Sequence, residues 1–228
     1  LPRGAVVSER VELGRNFCNK LWNASRFALM NLAGAPPWQT IRPKTNLADA
    51  WILSRLNSTI RDTTAAIESF RFNELADTLY HFMWDDLCDW YLEIAKTRIS
   101  KGAQEPKAVL AHCLDVLLRL LHPIMPFITE EIWGKLNSVA PDRGPTGERA
   151  ERLLATAQWP YADAAAISQL VEDEFALLQD LIRQIRNARL EHNVPPKQAV
   201  NLAVEATGAL ANLISENADL MRSLANVD

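Results

Sequence analysis

The stretch "PKAVLAHCLDVLLRLLH", Pro106–His122, is apolar almost all round, interrupted only by Lys107, Asp115, Arg119 and two histidines. A helix that is hydrophobic on every side must be covered on every side, and this run is shorter than a membrane span. It therefore predicts the central helix of a bundle, stopped by Pro123. The flanks supply the cover. Upstream, "FRFNELADTLYHFMWDDLCDWYLEIAKTRIS" (Phe70–Ser100) reads as one long helix, capped by Asn73, packed through Leu75, Leu79, Phe82, Met83, Leu87, Trp90 and Ile94, and broken at Gly102. Before it, Ala50, Trp51, Leu53, Leu56 and Ile60 fall at helical spacing in a helix that begins near Asn46 or Leu47 and fades around Glu68. A first helix runs from a cap at Ser8, with Glu9 and Glu12 in its opening turn, to Leu32, where Gly34, Pro36 and Pro37 end it. Downstream, "PFITEEIWGKL" opens with Pro126 and places Thr129, Glu130 and Glu131 in its first turns, as helix starts prefer.

Past Asn137 the character changes to Pro, Gly, Arg, Glu and Ala, and "VAPDRGPTGERAER" (Val139–Arg152) is the most linker-like piece. The expected organisation is a helix bundle over 1–138, a linker over 139–165 with a possible short strand, and a small α+β unit over 166–228. That last unit comprises an amphipathic helix (Ile167–His192), a turn at "NVPPKQ", a period-2 strand "AVNLAVEA" with Val200, Leu202 and Val204 on one face, and helix over Leu210–Ala225. One strand makes no sheet, so its partner is expected at Leu153–Trp159 or beyond Asp228, which would make the unit truncated at its C-terminal end.

The net charge of −4 argues against nucleic acid until its distribution is read. Leu1–Arg61 holds nine Lys and Arg against three Asp and Glu, whereas Asp62–Ser100 holds three against eight. A basic first third on an acidic whole is consistent with a local binding surface. Cys18, Cys88 and Cys113 are odd in number, widely spaced and set among apolar residues, so free thiols are expected. Neither they nor His81, His112, His122 and His192 approach metal-ligand spacing, and no metal is expected. Asp85, Asp86, Asp89 and Glu93 form the densest carboxylate cluster, best read as ion-pair partners of Lys96, Arg98 or cations of the first helix. No apolar run spans a bilayer and Leu1–Arg10 lacks a signal-peptide layout, so a cytoplasmic protein without a membrane partner is expected.

The first helix carries the chemistry. On a helical wheel of about 100° per residue, Phe17, Cys18, Leu21, Trp22, Ala24, Ser25, Ala28 and Leu29 sweep one apolar side. Asn16, Asn19, Lys20, Asn23, Arg26 and Phe27 gather opposite, with no acid among them. Amides, cations and a ring suit unpaired RNA, whose bases stack on aromatics and hydrogen-bond to amides while Lys or Arg meets phosphate. The same asparagines could instead bond to neighbouring helices. Arg183, Arg186 and Arg189 form a second basic run, winding round its helix so that at least one Arg is expected to pack internally.

Four segments, "RNFCNKLWNASRFALMN", "LADAWILSRLNSTI", "FRFNELADTLYHFMWDDLCDWYLEIAKTRI" and "HPIMPFITEEIW", resemble in order the C-terminal part of the valyl-tRNA synthetases, a family of class I aminoacyl-tRNA synthetases. The resemblance implies a mainly α fold, with the class I anticodon-binding helix bundle followed by a small mixed domain. It implies that the Asn16 to Phe27 face reads the anticodon region of valine tRNA. The family's His-x-Gly-His and Lys-Met-Ser-Lys-Ser signatures, which hold ATP, are absent from this sequence. A fragment inactive alone is therefore expected, a monomer whose partners are valine tRNA and its own catalytic domain, with ATP and magnesium belonging to the full-length ligase. The competing class is a helical interaction module that docks the asparagine-rich face on the catalytic body or on another protein.

Overall fold

The computed structural model describes residues 9–40, 46–144, 149–195 and 198–228. The expected cap at Ser8 and part of the "NVPPKQ" turn lie outside these residues. Nine α-helices are described: α1 (Glu9–Asn31), α2 (Leu47–Glu68), α3 (Phe72–His81), α4 (Leu92–Ser100), α5 (Glu105–Leu121), α6 (Pro126–Val139), α7 (Gln169–Glu191), α8 (Gly208–Glu216) and α9 (Ala218–Ala225). The fold is mainly α. As its sequence requires, α5 is central: Val109, Leu110, Cys113, Leu114, Leu117, Leu118, Leu120 and Leu121 are all buried, and α1, α2, α4 and α6 pack round it.

The starts and stops follow local chemistry. The Asn46 side chain accepts from the amides of Ala48 and Asp49 and opens α2. The helix ends at Glu68 as expected, and its closing turn is unusual: the Phe70 amide bonds back to Ile67 O and the Arg71 amide to Ala66 O, with Phe70 in the left-handed region at φ 56°. Glycine usually takes that position. The next helix then starts at Phe72, so Asn73 lies inside its first turn and is not the cap.

The long helix Phe70–Ser100 was expected to be uniform and is not. Between α3 and α4 the chain winds as a π-helix over Phe82–Tyr91, where the Leu92 amide reaches back five residues to Leu87 O. Each π turn takes more residues than an α turn and rotates the following side chains round the axis. Successive carboxylates and rings therefore aim at different neighbours: Trp84 and Asp89 at α1, Asp86 at α2, Trp90 at α7. A 3.6-residue pattern cannot report such a segment.

The expected strand is corrected. Among the described residues no strand forms, and "AVNLAVEA" contributes a single parallel bridge between Val200 and Val227. Its partner is the end of the same chain, with the Leu202 amide on Asp228 O and the Asp228 amide on Val200 O. One pair of bonds cannot extend into a sheet. The other expected partner, Leu153–Trp159, makes a 3-10 turn over Leu154–Thr156, because Glu130 of α6 takes the amides of Leu154 and Ala155.

The described part of the expected linker is tied to the helices at several points. Arg143 is 3% exposed, its Nε donating to Asp115 on α5 and its Nη1 to Asn137 and Ala140 O. Farther on, Trp133 donates to Glu151 O, Trp159 donates to Thr64, Asn57 accepts from the Asp163 amide, and Ser54 accepts from the Ser168 amide. This strap carries the chain from α6 across α2 and delivers α7. Phe175 stacks on Trp51 with ring centroids 4.1 Å apart, and Arg55 joins Glu172 to Asp86.

Candidate nucleic-acid interface

Helix α1 buries Leu21, Ser25 and Ala28, a stripe at the spacing of adjacent turns that Leu32 continues just past its end. The opposite side is open. Asn16, Asn19, Asn23 and Arg26 are exposed, and none makes a hydrogen bond or ion pair among the described residues. The reading in which these asparagines bond to neighbouring helices finds no partner there. Three amides and a guanidinium thus stand side by side with their hydrogen-bonding capacity directed to solvent.

Two rings exchange places relative to the wheel. Trp22, assigned to the apolar side, is 40% exposed. It sits about 90° from the centre of the buried stripe, beside Asn19 and Arg26 one turn away on either side, and no helix covers that margin. Phe27, assigned to the polar face, is half-buried against the core with the Lys96 ammonium 4.7 Å from its ring centroid. The aromatic platform on the open side of α1 is therefore Trp22. It was hidden in the sequence because a tryptophan at the margin of an apolar stripe is read as core.

Lys20 is a first-helix cation that pairs with the acidic cluster, as the carboxylate spacing led one to expect. Its Nζ lies 2.6 Å from Asp89 Oδ1 and 4.1 Å from the Trp84 ring centroid. Trp84 stacks on Tyr80 at 5.3 Å and Tyr80 on Phe17 at 5.9 Å, a row of half-buried rings joining α3 and the π segment to α1. Sequence reasoning passed over Tyr80 and Trp84 because their helix was read by its apolar periodicity alone.

The acidic cluster is distributed as ion pairs: Asp85 with His81, Asp86 with Arg55, Asp89 with Lys20 and Glu93 with Lys96. Two of these pairs, Lys20–Asp89 and Arg55–Asp86, join the basic first third to the acidic segment, and the other two form within that segment. Asp86 is pushed above the usual carboxylate range by burial, with Arg55 pulling the other way. Asp49 is raised in the same manner, burial outweighing the Arg98 and Tyr91 bonds it accepts. Burial pushes the Cys88 thiol up to about 12 and Cys113 higher still, so neither supplies a thiolate near neutrality.

The second basic run is occupied. Arg189, 9% exposed, donates to the carbonyls of Asn226, Pro195 and Gln198, and Arg186 donates twice to Leu224 O. Both hold the chain end against α7. Arg183 pairs with Asp180 and lies 5.3 Å from the Trp90 ring centroid.

The family model described as "Anticodon-binding domain of tRNA ligase" matches residues 49–205. The chain belongs to this family. Among its relatives is a valine–tRNA ligase of Rhodopirellula baltica, 42% identical over 231 residues that take in 100% of this chain and 22% of that protein. Another valine–tRNA ligase, of Geobacillus kaustophilus, is 43% identical over 87% of this chain and 22% of its own length. A third, of Carboxydothermus hydrogenoformans, is 42% identical over 95% of this chain and 24% of its own. The chain spans less than a quarter of the length of these relatives. The family match opens in the first turn of α2 and runs through the strap and α7. The matched residues therefore lie on both sides of Val139, while α1 with its open polar face precedes them.

Proposed function

We propose that this anticodon-binding domain holds the anticodon region of valine tRNA against the open face of α1, as part of a cytoplasmic valine–tRNA ligase whose ATP-dependent chemistry lies on another domain. One observation carries the reading: Asn16, Asn19, Asn23 and Arg26 are exposed together without an intramolecular partner. Arg26 meets phosphate, the asparagines meet base edges, and Trp22 offers a stacking face. Lys20 contributes at the margin. Phe27 positions the helix from beneath, and Arg186 and Arg189 brace residues 166–228 while Arg183 remains a peripheral contact. Within this reading, residues 1–138 meet the RNA and the C-terminal unit buttresses α2.

Fluorescence anisotropy with valine tRNA and isoleucine tRNA, at low and moderate salt, tests it. The expected result is preferential, salt-sensitive binding of the valine tRNA. Equal or absent binding would assign discrimination to other parts of the ligase and leave α1 as a docking face for a protein surface.

A further inference from the structure

Lys20 stands where the open face of α1 turns toward the π segment, and its ammonium is held from two sides. Beneath it lies the Trp84 ring, its centroid 4.1 Å away, and Trp84 continues through Tyr80 to Phe17 on α1 itself. Beside it lies Asp89 Oδ1, at 2.6 Å. The two contacts differ in permanence. The row of rings is anchored on both helices, whereas the Asp89 side chain is 51% exposed and makes no second hydrogen bond or ion pair among the described residues. Its neighbour Asp86, by contrast, is only 15% exposed and locked to Arg55. Asp89 can thus leave its cation without leaving a buried charge behind.

We infer that Asp89 is a specificity-determining residue for RNA: in the free protein its carboxylate occupies the phosphate position on Lys20, and a correctly seated RNA displaces it. This rests on the RNA reading above. An RNA docked in the wrong register brings its phosphates up to Asp89 without reaching Lys20, and like charges then oppose it. An RNA docked in register exchanges one anion for another on an ammonium already placed by Trp84.

Ion release gives the exchange a signature. A phosphate neutralised by a free cation releases about 0.7 of a counterion from single-stranded nucleic acid. In the native protein the displaced Asp89 takes up a cation as Lys20 takes the phosphate, so this contact adds little to the salt dependence. With Asp89→Asn nothing is displaced, and the slope of log K against log salt steepens by about 0.7.

The test is a salt titration of the chain with valine tRNA and with an unrelated stem-loop RNA, for the native protein, Asp89→Asn, Asp89→Glu, Lys20→Met and the double variant Lys20→Met/Asp89→Asn. The expected result is that Asp89→Asn binds roughly two- to fivefold more tightly, the size of one exposed ion pair, with the larger gain on the unrelated RNA and the steeper slope on valine tRNA. Asp89→Glu retains native behaviour, and in the Lys20→Met background Asp89→Asn leaves the salt slope on valine tRNA unchanged while it still relieves the repulsion of the unrelated RNA. Native binding with an unchanged slope and affinity in Asp89→Asn overturns the inference and leaves the RNA reading standing. So does a change in melting temperature alone, the mark of a structural ion pair. Absence of binding by every variant removes the RNA reading, and the inference with it.

Discussion

Arg143 Nε donates to Asp115 Oδ1 at 2.8 Å, and both side chains are almost fully enclosed. The first belongs to the stretch that composition marks as linker and the second to the apolar central helix. Their pairing explains how α5 tolerates an aspartate: Arg119 takes the other oxygen from one turn away, and the Arg143 guanidinium lies 4.3 Å from the Trp133 ring centroid. The end of the bundle is closed by a residue that sequence assigns to no element.

Arg143→Ala should therefore destabilise the protein by about 3 kcal/mol, because it leaves Asp115 buried with only one of its two guanidinium partners and opens space against Trp133. Arg149→Ala, at an exposed position of the same stretch, should stay within about 0.5 kcal/mol of the parent. Urea unfolding of the two variants makes the comparison. Equal stabilities would show that the Arg143 pair contributes nothing.

Phe70 combines a left-handed backbone at φ 56° with a side chain 79% exposed, and its main contact is an edge-on ring pair with Phe72 at 6.3 Å. Phe70→Gly removes the Cβ clash at the helix end and loses little packing, so it should stabilise by about 1 kcal/mol. For a chain of this size that raises Tm by about 2–4 °C. A lower Tm would mean that the Phe70–Phe72 pair outweighs the backbone strain.

Acid should destabilise the protein through His112. Burial against Trp38, with ring centroids 4.3 Å apart, lowers its pKa to about 4. The unfolded chain then binds the proton first as pH falls through 6.5, so stability rises with pH between about 4 and 6.5 and is lost on acidification. The full span is roughly 3 kcal/mol. Asp49 and Asp86, raised by burial, act with the opposite sign from the usual carboxylate range upward and offset part of it. His112→Gln should flatten the profile between pH 6.5 and 4. An unchanged slope would place the acid sensitivity elsewhere.

Much of the bundle was legible, for reasons that vary by element. The all-round apolar character of α5 leaves it one place to be, and the Asn46 cap fixes the start of α2 locally. The π segment was illegible because apolar residues remain buried under either winding, and only the targets of Trp84, Asp86 and Asp89 reveal the difference. "AVNLAVEA" failed as a strand because period-2 alternation states which side is apolar and says nothing of whether a partner exists. The α1 face was legible in composition and misplaced in detail. Residues at the margin of a stripe, Trp22 and Phe27, are assigned by what the neighbouring helices cover, and a wheel drawn for one helix holds no neighbours.

That misplacement makes the decisive variant of the interface Trp22→Ala. A ring 40% exposed and flanked by the unpartnered Asn19 and Arg26 contributes modestly to the core, so its loss should change stability by about 1 kcal/mol or less. If it stacks on an unpaired base, tRNA binding should weaken by about 1–3 kcal/mol, roughly five- to 150-fold. Asn23→Ala should weaken binding without a comparable loss of stability, since no intramolecular bond is broken. Arg26→Ala should flatten the salt slope by about 0.7, because Arg26, unlike Lys20, has no carboxylate to displace. Phe27→Ala should do the reverse of Trp22→Ala, with stability lost through the core contact and RNA affinity following only as the helix loosens. Equal effects of the Trp22 and Phe27 variants on affinity and on melting temperature would return both rings to packing and remove the stacking role.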